Sequence, residues 1–135
     1  GKTHQIRAHL ASIGHPIAGD YKYGNRSFND VLKKEYGLRS QLLHAYRLEF
    51  PENCEGDIKQ LSGKIIKAPV PALFEQICKA QGVMIVLGSD SHVDADIAEY
   101  PYAEEILRET DFPEELVANV SLEKLKACIK HGKKL

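Results

Sequence analysis

The first ten residues, GKTHQIRAHL, gather a lysine, two histidines, a glutamine and an arginine on one short segment. Arg7 carries the most definite chemistry. A guanidinium is a planar fork of donors that grips a carboxylate or a phosphate through two bonds at once. Beside an aspartate it keeps the carboxylate ionised and fixes its direction. A second group lies far along the chain, where the run GSDSH places Asp90 and His92 two residues apart. Carboxylate and imidazole are proper ligands for zinc, manganese or iron. Taken singly, each residue also has a plain reading. Arg7 is then a solvated helix charge, His4 and His9 are surface or structural residues, and Asp90 and His92 are polar loop residues.

The elements that position these residues follow from periodicity. Ile6, Leu10 and Ile13 recur at spacings of four and three, which predicts a helix over residues 3–13, with Thr3 as a candidate cap. Gly14 ends it and a loop follows through Asp20 to Gly24. Asp20 reads as a turn residue. Ser27 is a candidate cap for a second helix that Gly37 closes. Alternation predicts a strand over 42–50, and 64–68 reads as a second. Pro71 suits the first turn of a helix over 72–79. The run VMIVL, 83–87, reads as a buried strand, so that Asp90 and His92 would stand in the loop beyond its C-terminal end. A helix over 101–110, a break at Phe112-Pro113, a strand over 116–120 and a helix from Ser121 to 130 complete the chain.

Composition narrows the class. The chain has 135 residues, 43% hydrophobic and 27% charged, which suits one modest domain or two small ones. No apolar run approaches the roughly 20 residues of a membrane span. Cys54, Cys78 and Cys128 are widely spaced and form no CxxC pair, so neither a disulfide framework nor a zinc knuckle is expected. A reducing cytoplasm is the simplest compartment. Residues 1–81 hold 12 Lys/Arg against 8 Asp/Glu, and residues 82–135 hold 6 against 11. The basic front suits a polyanion, since Lys and Arg gain by releasing counterions from phosphates. The acidic back does not, and the contrast hints at two units.

Three stretches carry a resemblance. GKTHQIRAHLASIGHPIAGDYKYG (1–24), LLHAYRLEFP (42–51) and KIIKAPVPALFEQIC (64–78) together resemble the C-terminal half of RluA-type pseudouridine synthases. The resemblance implies isomerisation of uridine in ribosomal or transfer RNA, without a cofactor. It makes Arg7 the partner of a nucleophilic aspartate, and Ile6 and Leu10 the packing of the uracil pocket. Lys2, His4, Gln5 and Arg7 become RNA-facing residues. The family's HRLD-type motif with that aspartate, and the tyrosine motif after it, would lie before Gly1. The chain therefore reads as a C-terminal fragment that does not turn over alone. Asp20 is not expected to substitute, because the family has an aspartate there beside its nucleophile.

From Gly82 the character changes. VMIVLGSDSHVDADIA (83–98) and ELVANVSLEKLKACI (115–129) resemble the closing part of PHP (polymerase and histidinol phosphatase) domains. That resemblance implies a divalent metal held by Asp90 and His92 together with ligands from earlier strands. The expected architecture is α+β. A partial antiparallel sheet with short helices spans residues 1–81, and a small β/α tail spans 82–135. The first function is RNA pseudouridine synthesis. The alternatives are a metal-dependent phosphoesterase remnant and a non-catalytic RNA-binding remnant.

Overall fold

The computed structural model describes residues 4–88 and 103–132. Lys2, Thr3, Asp90 and His92 lie outside the described residues, as do the N-terminal start of the first expected helix and the 101–102 start of the fourth. The fold is α+β, with short helices and, among the described residues, one two-stranded sheet.

Helix α1 runs Gln5–Ser12 and α2 runs Arg26–Tyr36. Asn25, rather than Ser27, caps α2: its side chain accepts the Phe28 N–H at 3.0 Å. Ser27 falls inside the first turn. An Asn one residue before the helix meets the same kind of orphan donor, and spacing alone does not choose between two polar residues two positions apart. Gly37 closes α2 in the left-handed region, φ +70°, where glycine avoids the Cβ clash.

Strands β1, Arg47–Glu49, and β2, Ile65–Lys67, pair antiparallel with Leu48 opposite Ile66. Backbone bonds from Ala68 to Tyr46 and from Phe50 to Lys64 extend the pairing at either end. The expected strand over 42–50 is shorter at its start because Leu42 donates its N–H to Ala18 O at 2.8 Å instead. That bond ties the approach to β1 onto the loop after α1.

Helix α3 spans Ala72–Gln81 and lies between two apolar clusters. Its Ile77 packs with Leu32, Leu38 and Ala18, and its neighbour Cys78 packs with Phe112 and Val117. Leu42 and Val83 touch both clusters. Helix α4, Ala103–Thr110, and helix α5, Leu122–Gly132, follow. Ser121 caps α5 as expected, with Oγ accepting the Lys124 N–H at 3.2 Å.

Two expected strands are corrected. Residues 83–87 and 116–120 form no strand pair beyond a single parallel bridge between Ile85 and Val117. Asn119 adds a side-chain clasp to both backbone groups of Leu87, at 3.0 and 2.7 Å. Residues 83–87 are not buried on both faces: Met84 and Val86 are exposed. A single short partner covers one side of the segment and leaves alternate residues facing out. A 3-10 turn at Glu114–Leu116 takes up the start of the second expected strand. Polar contacts also join these later residues to the earlier ones. His15 Nε2 lies 2.8 Å from Cys128 O, and Lys67 pairs with Glu105. The Tyr46 hydroxyl donates to Glu109. Among the described residues no helix is long and apolar enough to cross a membrane.

Candidate functional site

Helix α1 begins after His4, whose backbone is left-handed at φ +65°. A non-glycine residue holds that conformation only where its surroundings favour it. Here the imidazole packs edge-on to Tyr23, with ring centroids 5.8 Å apart at 80°. His4 Nδ1 lies 3.4 Å from both Lys22 Nζ and the Tyr23 hydroxyl. An ammonium can only donate, so Nδ1 is the acceptor in the Lys22 contact. Burial lowers the His4 pKa, and the positive charges of Arg7 and Lys22 lower it further.

One turn into α1, Arg7 meets Asp20. Nε lies 2.7 Å from Oδ2 and Nη2 lies 2.8 Å from Oδ1. Asp20 is fully buried, while the Arg7 side chain keeps 15% of its surface exposed. Oδ1 also accepts the backbone N–H groups of Lys22 at 2.9 Å and Tyr23 at 3.1 Å. Arg7 therefore holds the Asp20 carboxyl well below the usual carboxylate range against the opposing effect of burial, and the two backbone donors assist. The same hydrogen bonds raise the Arg7 pKa.

The loop bearing Asp20 is fixed from below by α2. Buried Asn29 accepts the Gly19 N–H and donates to Asp20 O, both at 2.8 Å. Two close approaches explain the glycines. At Gly19, φ +81°, a Cβ would stand 2.4 Å from Ser40 O; at Gly24 it would stand 2.3 Å from Asp20 O.

The arrangement leaves Arg7 with donors to spare. A guanidinium carries five N–H groups, and Asp20 takes one from Nε and one from Nη2. Nη1 and the second Nη2 hydrogen have no partner among the described residues. Lys22 makes no ion pair among the described residues, and its ammonium lies 5.3 Å from the Tyr23 ring centroid. The Arg7 guanidinium carbon lies 5.5 Å from the same centroid.

The structure thus brings Arg7 and His4 together, with three residues that sequence reasoning did not place in the site: Lys22, Tyr23 and Asn29. It also makes Asp20 the anchor of Arg7 as well as a turn residue. Ile6 and Leu10 line a different face of α1. With Gln5 and His9 they border an open recess of about 550 Å³, and Ile6 is half exposed there. Asp90 and His92 lie outside the described residues, and the described residues hold no set of three His, Cys, Asp or Glu suited to a metal.

Comparison with known proteins places this geometry in context. Ribosomal large subunit pseudouridine synthase C of Salmonella typhi is 41% identical over 68 residues, which is 50% of this chain and 21% of that protein. Ribosomal large subunit pseudouridine synthase D of Neisseria meningitidis is 42% identical over 76 residues, covering 53% of this chain and 19% of its own length. A probable phosphatase of Acetivibrio thermocellus is 45% identical over 60 residues, 44% of this chain and 25% of that protein. The chain spans about a fifth of the length of the synthases it matches. No protein-family model matches it, and no solved structure does.

Proposed function

We propose that residues 1–81 form the arginine-bearing side of an RNA pseudouridine synthase site acting on uridine in ribosomal or transfer RNA. The observation that carries this reading is the Arg7–Asp20 pair, in a chain half of which is similar to such a synthase. The reaction breaks the bond from ribose C1′ to N1 of uracil, joins C1′ to C5, releases the C5 proton to solvent, and N1 takes up a proton in its place. It needs a carboxylate with an uncommitted oxygen. Asp20 has none to offer: both oxygens accept hydrogen bonds, and the group is fully buried. Asp20 is thus the orienting partner. The attacking carboxylate is supplied by a separate segment and meets the unused edge of Arg7, which holds it ionised. The reading calls for no cofactor.

The test joins the upstream half of a full-length synthase relative to this chain and follows tritium release from RNA labelled at uridine C5. Release by the joined enzyme and none by the 135-residue chain is the expected pair of results. Release by the 135-residue chain alone would overturn the division of labour. A folded joined enzyme without release would overturn the reading.

One similarity favours a second reading, that of part of the chain to a probable phosphatase. It would have Asp90 and His92 bind a divalent metal, detectable by elemental analysis of dialysed protein. Less than stoichiometric metal would contradict it.

A further inference from the structure

We propose that Arg47 and Lys67 form a contact site for one phosphodiester of an RNA strand, and that helix α4 occupies this site from within the chain, so that the later residues restrain RNA binding by the earlier ones. This rests on the reading of residues 1–81 as the RNA-facing part. It concerns the sheet rather than the Arg7–Asp20 pair, and a competitor rather than the reaction.

The argument starts from the register of the sheet. Arg47 and Lys67 stand directly opposite each other across β1 and β2. Directly opposed like charges destabilise a strand pair, so this register calls for an anion. Helix α4 supplies one. A single carboxylate, Glu105, spans both cations: Oε1 accepts from Lys67 Nζ, and Oε2 lies 3.4 Å from Arg47 Nη1. Glu109, one turn further along α4, lies 3.4 Å from the same ammonium. Glu49 of β1 takes the other terminal nitrogen of Arg47, Nη2, at 3.4 Å. The hydrogen bond from Lys67 holds the Glu105 carboxyl below the usual carboxylate range, and the charges of Lys67, Arg47 and Arg108 assist. Two cations bridged by two oxygens of one group stand at a spacing that a phosphodiester also meets. Its two unesterified oxygens share one phosphorus and accept from an ammonium and a guanidinium together.

The internal contact is weak enough to displace. Lys67 is exposed, and the side chains of Glu105 and Glu109 keep 29% and 48% of their surface exposed. Ion pairs so exposed contribute little net stability, so a polyanion that releases counterions along its length competes with them. The contact also joins the two charge classes of the chain. Helix α4 belongs to the stretch with 6 Lys/Arg against 11 Asp/Glu, and the sheet belongs to the stretch with 12 against 8.

The test uses the 135-residue chain with a labelled U10 oligoribonucleotide as probe, its affinity followed by anisotropy from about 50 to 200 mM salt, where phosphate contacts weaken. Glu105→Gln combined with Glu109→Gln is expected to bind several-fold more tightly at the low-salt end and to steepen the log–log salt slope by about 0.7, the share of one single-strand phosphate. Lys67→Ala should cost the parent chain little, since Glu105 already holds that charge, and should cancel the gain in the double variant. Glu115→Gln combined with Glu123→Gln changes the net charge equally at exposed residues elsewhere, and should leave the affinity near that of the parent. Circular dichroism checks folding; if the double variant unfolds, Glu105→Gln alone is measured, with the same signs expected. Unchanged affinity in a folded variant, or an equal gain from the Glu115 and Glu123 pair, overturns the site. Displacement of U10 by inorganic phosphate at equal phosphate concentration overturns its assignment to an RNA strand. A joined synthase that releases tritium while the glutamine variants change nothing sinks this site and leaves the proposed function standing; a gain in affinity without release does the reverse.

Discussion

Replacing Asp20 by Asn tests the anchor directly. The substitution conserves shape and removes the charge. Asn keeps one carbonyl oxygen, which can still accept from Lys22 N and Tyr23 N. Its amide nitrogen then faces Arg7 Nε across the present 2.7 Å contact, donor against donor. Breaking a buried ion pair from one side costs about 3–5 kcal/mol. The Arg7 side chain is 15% exposed, so water recovers part of its solvation, and we expect the lower end, about 3 kcal/mol. In a chain of this size that is a fall in melting midpoint of roughly 10 °C. The pH dependence has a definite sign. A carboxyl whose pKa is lowered by folding contributes stability above its unfolded value, about 3.9, and loses it as pH falls towards the folded value. The gap between wild type and Asp20→Asn is therefore expected to stay constant from pH 7 to about 5 and to close below about 4. Thermal unfolding followed by circular dichroism across that range measures both. A loss under about 1 kcal/mol is what an exposed pair gives and would refute the anchor. So would a gap that ignores pH.

Three further outcomes follow from the same geometry. Asn29→Ala strands the Gly19 N–H in a buried place, while Asp20 O keeps the Gly24 N–H; at about 1–3 kcal/mol for one unsatisfied group, denaturant titration should show a loss of roughly that size. Gly24→Ala drives a Cβ to within 2.3 Å of Asp20 O, a backbone atom with little room to yield, and should lower the melting midpoint more than Gly37→Ala, where no atom stands within 4 Å of the added carbon. Burial pushes the Cys78 thiol up to about 11, so a thiol reagent at pH 8 should label half-exposed Cys128 well before Cys78; mass spectrometry of timed digests checks the order, and early labelling of Cys78 would contradict the packing of α3.

Local signals carried much of the fold. The four-and-three spacing of Ile6, Leu10 and Ile13 marks α1, Gly37 marks the end of α2, and Ser121 marks the start of α5. These are features of chain neighbours, which is what periodicity and capping report. The strands over 83–87 and 116–120 failed because apolar, branched residues state a preference for extension, while a strand needs a partner along its length. Ile85 finds one at Val117, and its neighbours Met84 and Val86 face out. The central contact of the site was the least legible. Arg7 and Asp20 lie 13 residues apart, on a helix and on a loop, and no spacing rule joins them. The signal that could have suggested the pairing is the loop itself. Gly19 and Gly24 bracket an aspartate in a tight turn, and such a buried carboxylate requires a cation, of which Arg7 on the preceding helix is one of few nearby.

The central claim is that Arg7, held by Asp20, lends its free edge to a carboxylate from another segment. The most direct test is single-turnover tritium release by the joined synthase with and without Arg7→Ala, the RNA saturating in both. The account predicts a fall of about 10²–10³-fold in the rate of release, the scale of losing one preorganised donor at a reacting centre, with RNA still bound. A rate within a few-fold of the parent enzyme, in a variant that folds and binds RNA, would contradict it.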